Sequence, residues 1–537
     1  MTTLQDGPLA ASIRDGALGA VKFNGVEVLR ALTYPVRNAD WGTHLTVTLA
    51  EETGPGTYLR RFADTGGVFT GTFRVALAAG HVEAEVSFTF DRAAQVNRAG
   101  FTLLHPIRGV AGSALTLRHP DGSASQTTFP ARISPAQPAR DIAGLLHKVG
   151  GVEVEIGLEG DVFEMEDQRN WSDASFKTYC RPLSLPFPYP VAQGETIRQR
   201  VTLDLRAEGA LMPPGDVAAP VRAWLPQVML AYEAGLSDLA ALDAFRGLPV
   251  LLRLTPETPA QDLAALAGRA GTALEIVFDD LPGLQALIAR AQTAGLSPVR
   301  VAALPRPYLR SHQPEGPWPT GAGPADALAP LRAGFPGAMV GGGSLTNFTE
   351  LNRCRPDPDK VDFVTFGNTA VVHAADDLSV WQTLEAMPDI LATAADIAAG
   401  KPLHLGLFSI GMRSNPYGAA VAANPTRQRV PMAMEDPRQD ADFAAAYALA
   451  VLARAAVAGV HSLALAMPGG PLGARGSLAN LIRAVAPLAG REVRVTEEGA
   501  FVILSAGGAL FAANCGPMPA LLGETALAPE SIALRLP

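Results

Sequence analysis

Cysteine is nearly absent from the 537-residue chain: Cys180, Cys354 and Cys515 are its three, far apart and odd in number. Neither a disulfide framework nor a cysteine-built zinc site fits that count, and each thiol reads as a small buried hydrophobe. Long apolar runs are missing too, each being too short or too interrupted to span a bilayer. The N-terminal stretch MTTLQDGPLAASIRDG has no basic segment followed by an apolar one. These absences predict a cytoplasmic protein with no membrane partner. No block of one charge sign occurs and the formal net charge is -9. That balance opposes nonspecific nucleic-acid binding, which relies on clustered Lys and Arg neutralising phosphates.

What is present is 48% hydrophobic and 18% charged residues, the composition of a folded protein with ample core. The chain is too long for one ordinary core. Residues 1–215 read as short period-two segments such as VKFNGVEVLRAL, GVFTGTFRVALAA and HVEAEVSFTF, separated by Gly, Asp and Asn turns. That pattern predicts an antiparallel β-sandwich. GALMPPGDVAAPVRAW then breaks the pattern with Pro and Gly, placing a boundary near Leu211 to Ala223.

Residues 220–489 change grammar. The runs VMLAYE, PVLLRLT, ALEIVFDD, SPVRVAAL, GAMVGG, VDFVTFGN, PLHLGLFSI and HSLALAMPG alternate with Ala/Leu-rich amphipathic stretches such as DLAALDAFRG and LPGLQALIARAQTAG. The count and spacing predict a (β/α)8 TIM barrel. A doubly wound sheet is the alternative, but no GxGxxG opens a helix after a strand. Residues 490–537 return to period two, predicting a short C-terminal β element.

Barrel chemistry gathers past the C-terminal ends of the strands. Those positions hold Glu233 after the first strand and Asp279 and Asp280 after the third, where Asp280 reads as a helix N-cap. The fifth-strand exit, GGGSLTNFTELNRCRPD, holds Ser344, Asn347, Glu350, Asn352 and Arg353, and its glycines suggest close approach of backbone to ligand. Asn368 and His373 follow the sixth strand; Arg413 and Asn415 follow the seventh. No HxH or HExxH spacing supports a zinc site, and no GxSxG elbow supports a serine hydrolase. The fourth and seventh exits lack the Glu that retaining barrel glycosidases place there, which weakens a glycosidase reading.

One stretch of the β region stands out, FEMEDQRNWSDASFKTYCR at 163–181. Glu164, Glu166 and Gln168 share one face of an extended chain, and Trp171, Phe176 and Tyr179 interleave with the charges. A solvated strand edge and a hydroxyl-rich ligand site both fit that spacing.

The same stretch, together with GVEVLRALTYPVRNADWGT, VNRAGFTLLHPIRGVAG, LTNFTELNR and FVTFGNTAVVHAADDLSVWQTLEA, resembles the D-apionate lactonase family of bacterial branched-pentose catabolism. The resemblance runs from about Gly25 to Gly469. It implies hydrolysis of D-apionolactone, or a closely related aldonolactone, to the aldonate. Its partner would be a small-molecule sugar lactone, and no cofactor is required. Glu350 and His373 would then be base and acid. Arg413, Asn368 and Asn415 would hold the carbonyl oxygen or hydroxyls, with Glu233, Asn352, Glu166, Asp167, Arg169 and Asn170 as further substrate-binding residues. A divalent cation on a carboxylate cluster leaves a metal-assisted route open. A barrel glycosidase and a noncatalytic carbohydrate-binding protein are the rival readings. The oligomeric state is not legible.

Overall fold

The computed structural model describes residues 2–208, 219–522 and 525–535; most of the expected boundary segment, 211–218, lies outside them. The chain divides into two compact units, one of Met1–Gln168 with Ala174–Gly215, the other of Arg169–Asp173 with Asp216–Pro537.

The first unit is an antiparallel sandwich of an eight-stranded and a nine-stranded sheet, with a three-stranded sheet beside them. Strict alternation builds its core. In HVEAEVSFTF (His81–Phe90), Val82, Ala84, Val86, Phe88 and Phe90 are buried. The neighbouring strand Phe69–Ala78 brings Phe73 opposite Val86. Tyr34, at the end of a strand of the other sheet, stacks on Phe73 with ring centroids 4.6 Å apart. Phe73→Ala would therefore remove a fully buried ring, costing about 3–5 kcal/mol. The hairpin joining Ala17–Phe23 to Val26–Thr33 turns on Asn24 and Gly25, with φ of 49° and 83°. Asn-Gly is the pair that tolerates two successive left-handed residues in a tight turn.

The second unit holds a closed barrel of eight parallel strands: Gln227–Glu233, Val250–Leu254, Ala273–Phe278, Arg300–Pro305, Met339–Asn347, Phe363–Thr369, His404–Ser409 and Ser462–Ala466. Six of these are buried along their whole length or all but one residue, as strands covered by helices must be. Arg253 and Glu275 sit inside two of the buried runs, VLLRL and ALEIVF. DLAALDAFRG, expected as a helix, forms a 3-10 turn over Ala240–Phe245. Asp280 caps the helix Leu281–Thr293 by accepting from the Gly283 N–H at 2.7 Å.

The C-terminal strands Glu492–Glu498, Phe501–Ala506, Ala509–Asn514 and Ser531–Arg535 form one antiparallel sheet, joined at its edge by Val221–Trp224 from before the barrel. No helix among the described residues is long and apolar enough to cross a membrane.

Candidate active site at the barrel mouth

A small cavity opens where the fifth, sixth and seventh strands end. Thr346 and Asn347 line it from the fifth strand, Asn368 and Thr369 from the sixth, Ser409 from the seventh and Arg413 from the loop beyond. Arg413 is the organising side chain. Its Nε donates to Glu233 Oε2 at 2.7 Å and its Nη1 to Glu275 Oε2 at 2.9 Å. Glu275 Oε2 also receives Arg253 Nε at 3.0 Å and Nη2 at 2.8 Å, and Arg253 Nη2 donates to the Leu345 carbonyl as well. Two guanidinium groups and two carboxylates from the first, second and third strands and the seventh loop thus neutralise one another inside the barrel.

Such a lattice costs desolvation, and it is tolerated because each carboxylate is hydrogen-bonded as well as paired. Burial alone would raise Glu233, but the charges of Arg413 and Arg253 outweigh it and hold the carboxyl below its usual range. Burial likewise opposes the Arg413 cation, and Glu233 and Glu275 more than restore it. With Nε and Nη1 committed, Nη2 is buried and has no hydrogen-bond partner. A fixed cationic donor without an acceptor at a cavity wall is arranged to receive an oxygen from a ligand.

Glu350 lies one layer behind the wall. It is the third residue of the helix Phe348–Arg353, and its Oε2 accepts from the Asn347 N–H and the Thr346 hydroxyl, each at 3.1 Å. Both donors line the cavity. Its Oε1 is buried with no hydrogen-bond partner of ordinary geometry. Burial pushes the carboxyl up to about 7, against the nearby Ser311 hydroxyl, the Asn347 amide and the Arg353 charge. A carboxyl poised there exchanges protons near neutral pH. Tyr417, half-buried and raised well above its usual range by desolvation and then by Glu350, shares a hydrogen bond with the Thr349 hydroxyl at 3.1 Å.

The segment Arg169–Asp173 is tied to this face residue by residue. Fully buried Arg169 donates to Asp389 Oδ2 at 2.8 Å. The Asn170 carbonyl accepts from the Thr349 hydroxyl at 2.6 Å, and its Oδ1 accepts from Asn352 Nδ2 at 3.0 Å. Trp171 lies under the Arg353 guanidinium, 5.0 Å from its ring centre, and meets the His373 ring edge-on. Ser172, held at φ 72°, donates to Asn368 Oδ1 at 2.7 Å. Asp173 Oδ2 lies 2.5 Å from His373 Nδ1.

The expected residues therefore fall into groups. Arg413 and Asn368 line the cavity, with Glu233 directly behind Arg413. Asn352 bonds Asn170 and also accepts from Arg355. His373 is exposed beyond the sixth strand and does not line the cavity. Asn415 shapes its own loop, accepting from the Tyr417 and Gly418 amides and donating to the Ala420 carbonyl. Glu166 and Asp167 belong to the first unit, where Glu166 pairs with Lys177 at 2.6 Å and Asp167 accepts from the Ser134 amide. The glycines of GGGSL face protein instead of ligand: side chains at Gly341 and Gly343 would collide with the Phe363 ring and the Thr365 carbonyl. Glu275, Arg253, Thr346, Ser409 and Asp173 were not anticipated. The first two carried a signal, each being a lone charge inside an apolar strand. Among the described residues no cluster of metal-ligating side chains occurs.

A family profile described as the N-terminal domain of D-apionate lactonase matches residues 1–208, and one described as its TIM barrel domain matches residues 252–492. A Brucella anthropi protein named D-apionate lactonase is 38% identical over 509 residues, covering 88% of this chain and 83% of that one. Among solved structures, a GH36 α-galactosidase from Geobacillus stearothermophilus is 10% identical, covering 95% of this chain and 92% of that one, with a TM-score of 0.27. A putative aldose 1-epimerase from Escherichia coli K12 is 11% identical, covering 38% of this chain and 98% of that one, with a TM-score of 0.26. Likeness at that level says nothing about chemistry.

Proposed function

Because this chain belongs to the D-apionate lactonase family, a family of sugar-lactone hydrolases, we propose that it opens D-apionolactone to D-apionate at the barrel-mouth cavity. The observation that carries the assignment of the site is Arg413, a cavity-lining residue whose forked contacts to Glu233 and Glu275 leave Nη2 without a hydrogen-bond partner. Water adds to the lactone carbonyl, giving up a proton to a base, and negative charge develops on the carbonyl oxygen. Arg413 Nη2 receives that oxygen, a donor preorganised at no reorganisation cost. The carbon–ring-oxygen bond then breaks, the ring oxygen takes a proton, and the products are a carboxylate and a free hydroxyl.

Two groups are assigned to the proton transfers. His373, outside the cavity lining but hydrogen-bonded through Nδ1 to Asp173, is assigned as the base for a substrate that extends from the cavity toward the sixth-strand exit, a carboxylate partner being what fixes tautomer and ring orientation. Glu350 communicates with the cavity through the Thr346 hydroxyl and supplies the acid. Asn368 and Ser409, which line the cavity, are assigned to substrate hydroxyls.

Acid release at constant pH from D-apionolactone, a series of pentono- and hexonolactones and aryl glycosides tests the reading. Fastest turnover of D-apionolactone is expected. Hydrolysis of aryl glycosides in place of lactones would overturn it, and faster opening of another aldonolactone would reassign the substrate.

A further inference from the structure

The opposite end of the barrel holds a second, small and partly open pocket lined by Met229, Arg300, Phe363, Thr365, His404 and Ser462, among others. Arg300 opens the fourth strand and points its guanidinium into it. The hydrogen-bond inventory is lopsided. Arg300 Nη2 donates to the Ser462 hydroxyl and to Met229 Sδ, a weak acceptor, both at 3.2 Å. No described carboxylate pairs with Arg300, and its Nε and Nη1 have no described hydrogen-bond partner. Ser462 Oγ, which accepts from Arg300, also lies 2.9 Å from His404 Nδ1. In the tautomer in which the Ser462 hydroxyl donates to Nδ1, the His404 proton sits on Nε2 and is left for a ligand. Burial, then the Arg300 charge and then His461 hold the imidazole low, so it is neutral with one N–H to offer. His461, 5.4 Å away ring to ring, is a further nitrogen base at the exposed edge.

The cavity thus collects donors and one uncompensated positive charge. Its single acid, Glu275, has its charge taken by Arg253 and Arg413 on the far side. A half-buried guanidinium without a counter-ion is held less favourably than a paired one, and an anion with several acceptor oxygens would complete it. We propose that this cavity is a binding site for a small oxyanion, held by Arg300 and by His404 Nε2. It lies at the N-terminal end of the strands, with Glu275 forming the wall it shares with the mouth where lactone chemistry is assigned.

The test is calorimetric titration of the full chain with inorganic phosphate at constant ionic strength, with acetate in a parallel arm, supported by thermal unfolding. Saturable binding of either anion is expected, the arm that binds tells a phosphoryl from a carboxylate ligand, and Arg300→Met should weaken it at least about tenfold. His404→Leu, which removes one donor and no charge, should weaken it less and serves if Arg300→Met does not fold. No saturable binding in either arm, shifts reproduced by sodium chloride, or equal binding by a folded Arg300→Met protein would each overturn the proposal.

Discussion

Asp173 Oδ2 and His373 Nδ1 lie 2.5 Å apart although 200 positions separate the two residues. The contact is made by a five-residue piece of the 163–181 stretch that leaves its flanking strands, Phe163–Asp167 and Ser175–Cys180, and folds with the barrel unit. Every one of those five side chains finds a partner near the exits of the fifth and sixth strands or on the helix Asp377–Ala398.

Asp173→Asn keeps the side chain's size and removes its charge. If His373 is the base, kcat should fall by about 100-fold, the scale of general-base assistance, with KM little changed. The pH profile of kcat should change shape while the unfolding midpoint stays within about 2 °C. Stopped assays from pH 5 to 9 on both proteins check this; equal kcat and superimposable profiles would remove His373 from the chemistry.

Arg413→Lys is the sharper test of the cavity. An ammonium cannot satisfy Glu233 and Glu275 in the geometry of a fork and still present a third donor to the ligand. A loss of about 100- to 1,000-fold in kcat/KM is expected, the scale of one oxyanion donor. Circular dichroism should remain that of the parent. A variant within threefold of parent turnover sinks the assigned role.

The barrel was legible because its signal is cumulative: eight apolar runs at regular spacing, each bounded by a turn or a cap, are hard to arrange otherwise. The same property hid the inside of the barrel. Arg253 and Glu275 look like isolated exceptions within buried strands, and only closure of the ring brings them to Arg413 and Glu233. The strand-exit rule found Asn368, the last residue but one of its strand, and Arg413, in the loop just beyond its strand, because both sit at the C-terminal ends. It could not separate Asn415, whose amide closes its own loop, since an Asn after a strand reads alike in both uses. The charged stretch at 163–181 was visible as an anomaly, yet its division was not: Glu166 and Lys177 pair across two strands of the sandwich, while Arg169 to Asp173 belong to the other unit.

Glu350 sets a pH signature. Its carboxyl is raised in the folded protein to about 7 from an ordinary 4.5, so the unfolded chain releases this proton first. The folded state is therefore favoured below pH 4.5, and this contribution is lost as pH rises to about 7. Glu350→Gln removes the loss, worth at most roughly 3 kcal/mol. Denaturant midpoints measured from pH 4.5 to 8 should move in favour of the variant across that window, and turnover should drop by about 100-fold if Glu350 is the acid. A constant difference in midpoint would show that the buried carboxyl is not protonated on folding.

Two histidines in the sandwich act in the opposite sense. His105 and His147 are buried with rings 5.9 Å apart, beside Phe129; His147 has no hydrogen bond from either nitrogen and His105 has one, to Thr178. Burial holds them down, to about 3 for His105 and about 4 for His147, from an ordinary 6.5. Their folded pKa values being depressed, their contribution is complete above pH 6.5 and is lost as pH falls toward 4, where the unfolded chain takes up protons the core refuses. His147→Leu replaces an unbonded imidazole with a side chain that cannot titrate, so the variant should lose less stability than the parent between pH 6.5 and 4.5. Because Glu350 stabilises in that same direction of pH change, the double variant with Glu350→Gln separates the two. The His147→Leu effect should persist unchanged there, since groups in separate units with no shared partner contribute additively. A pH slope that His147→Leu leaves unaltered would place the acid sensitivity elsewhere in the chain.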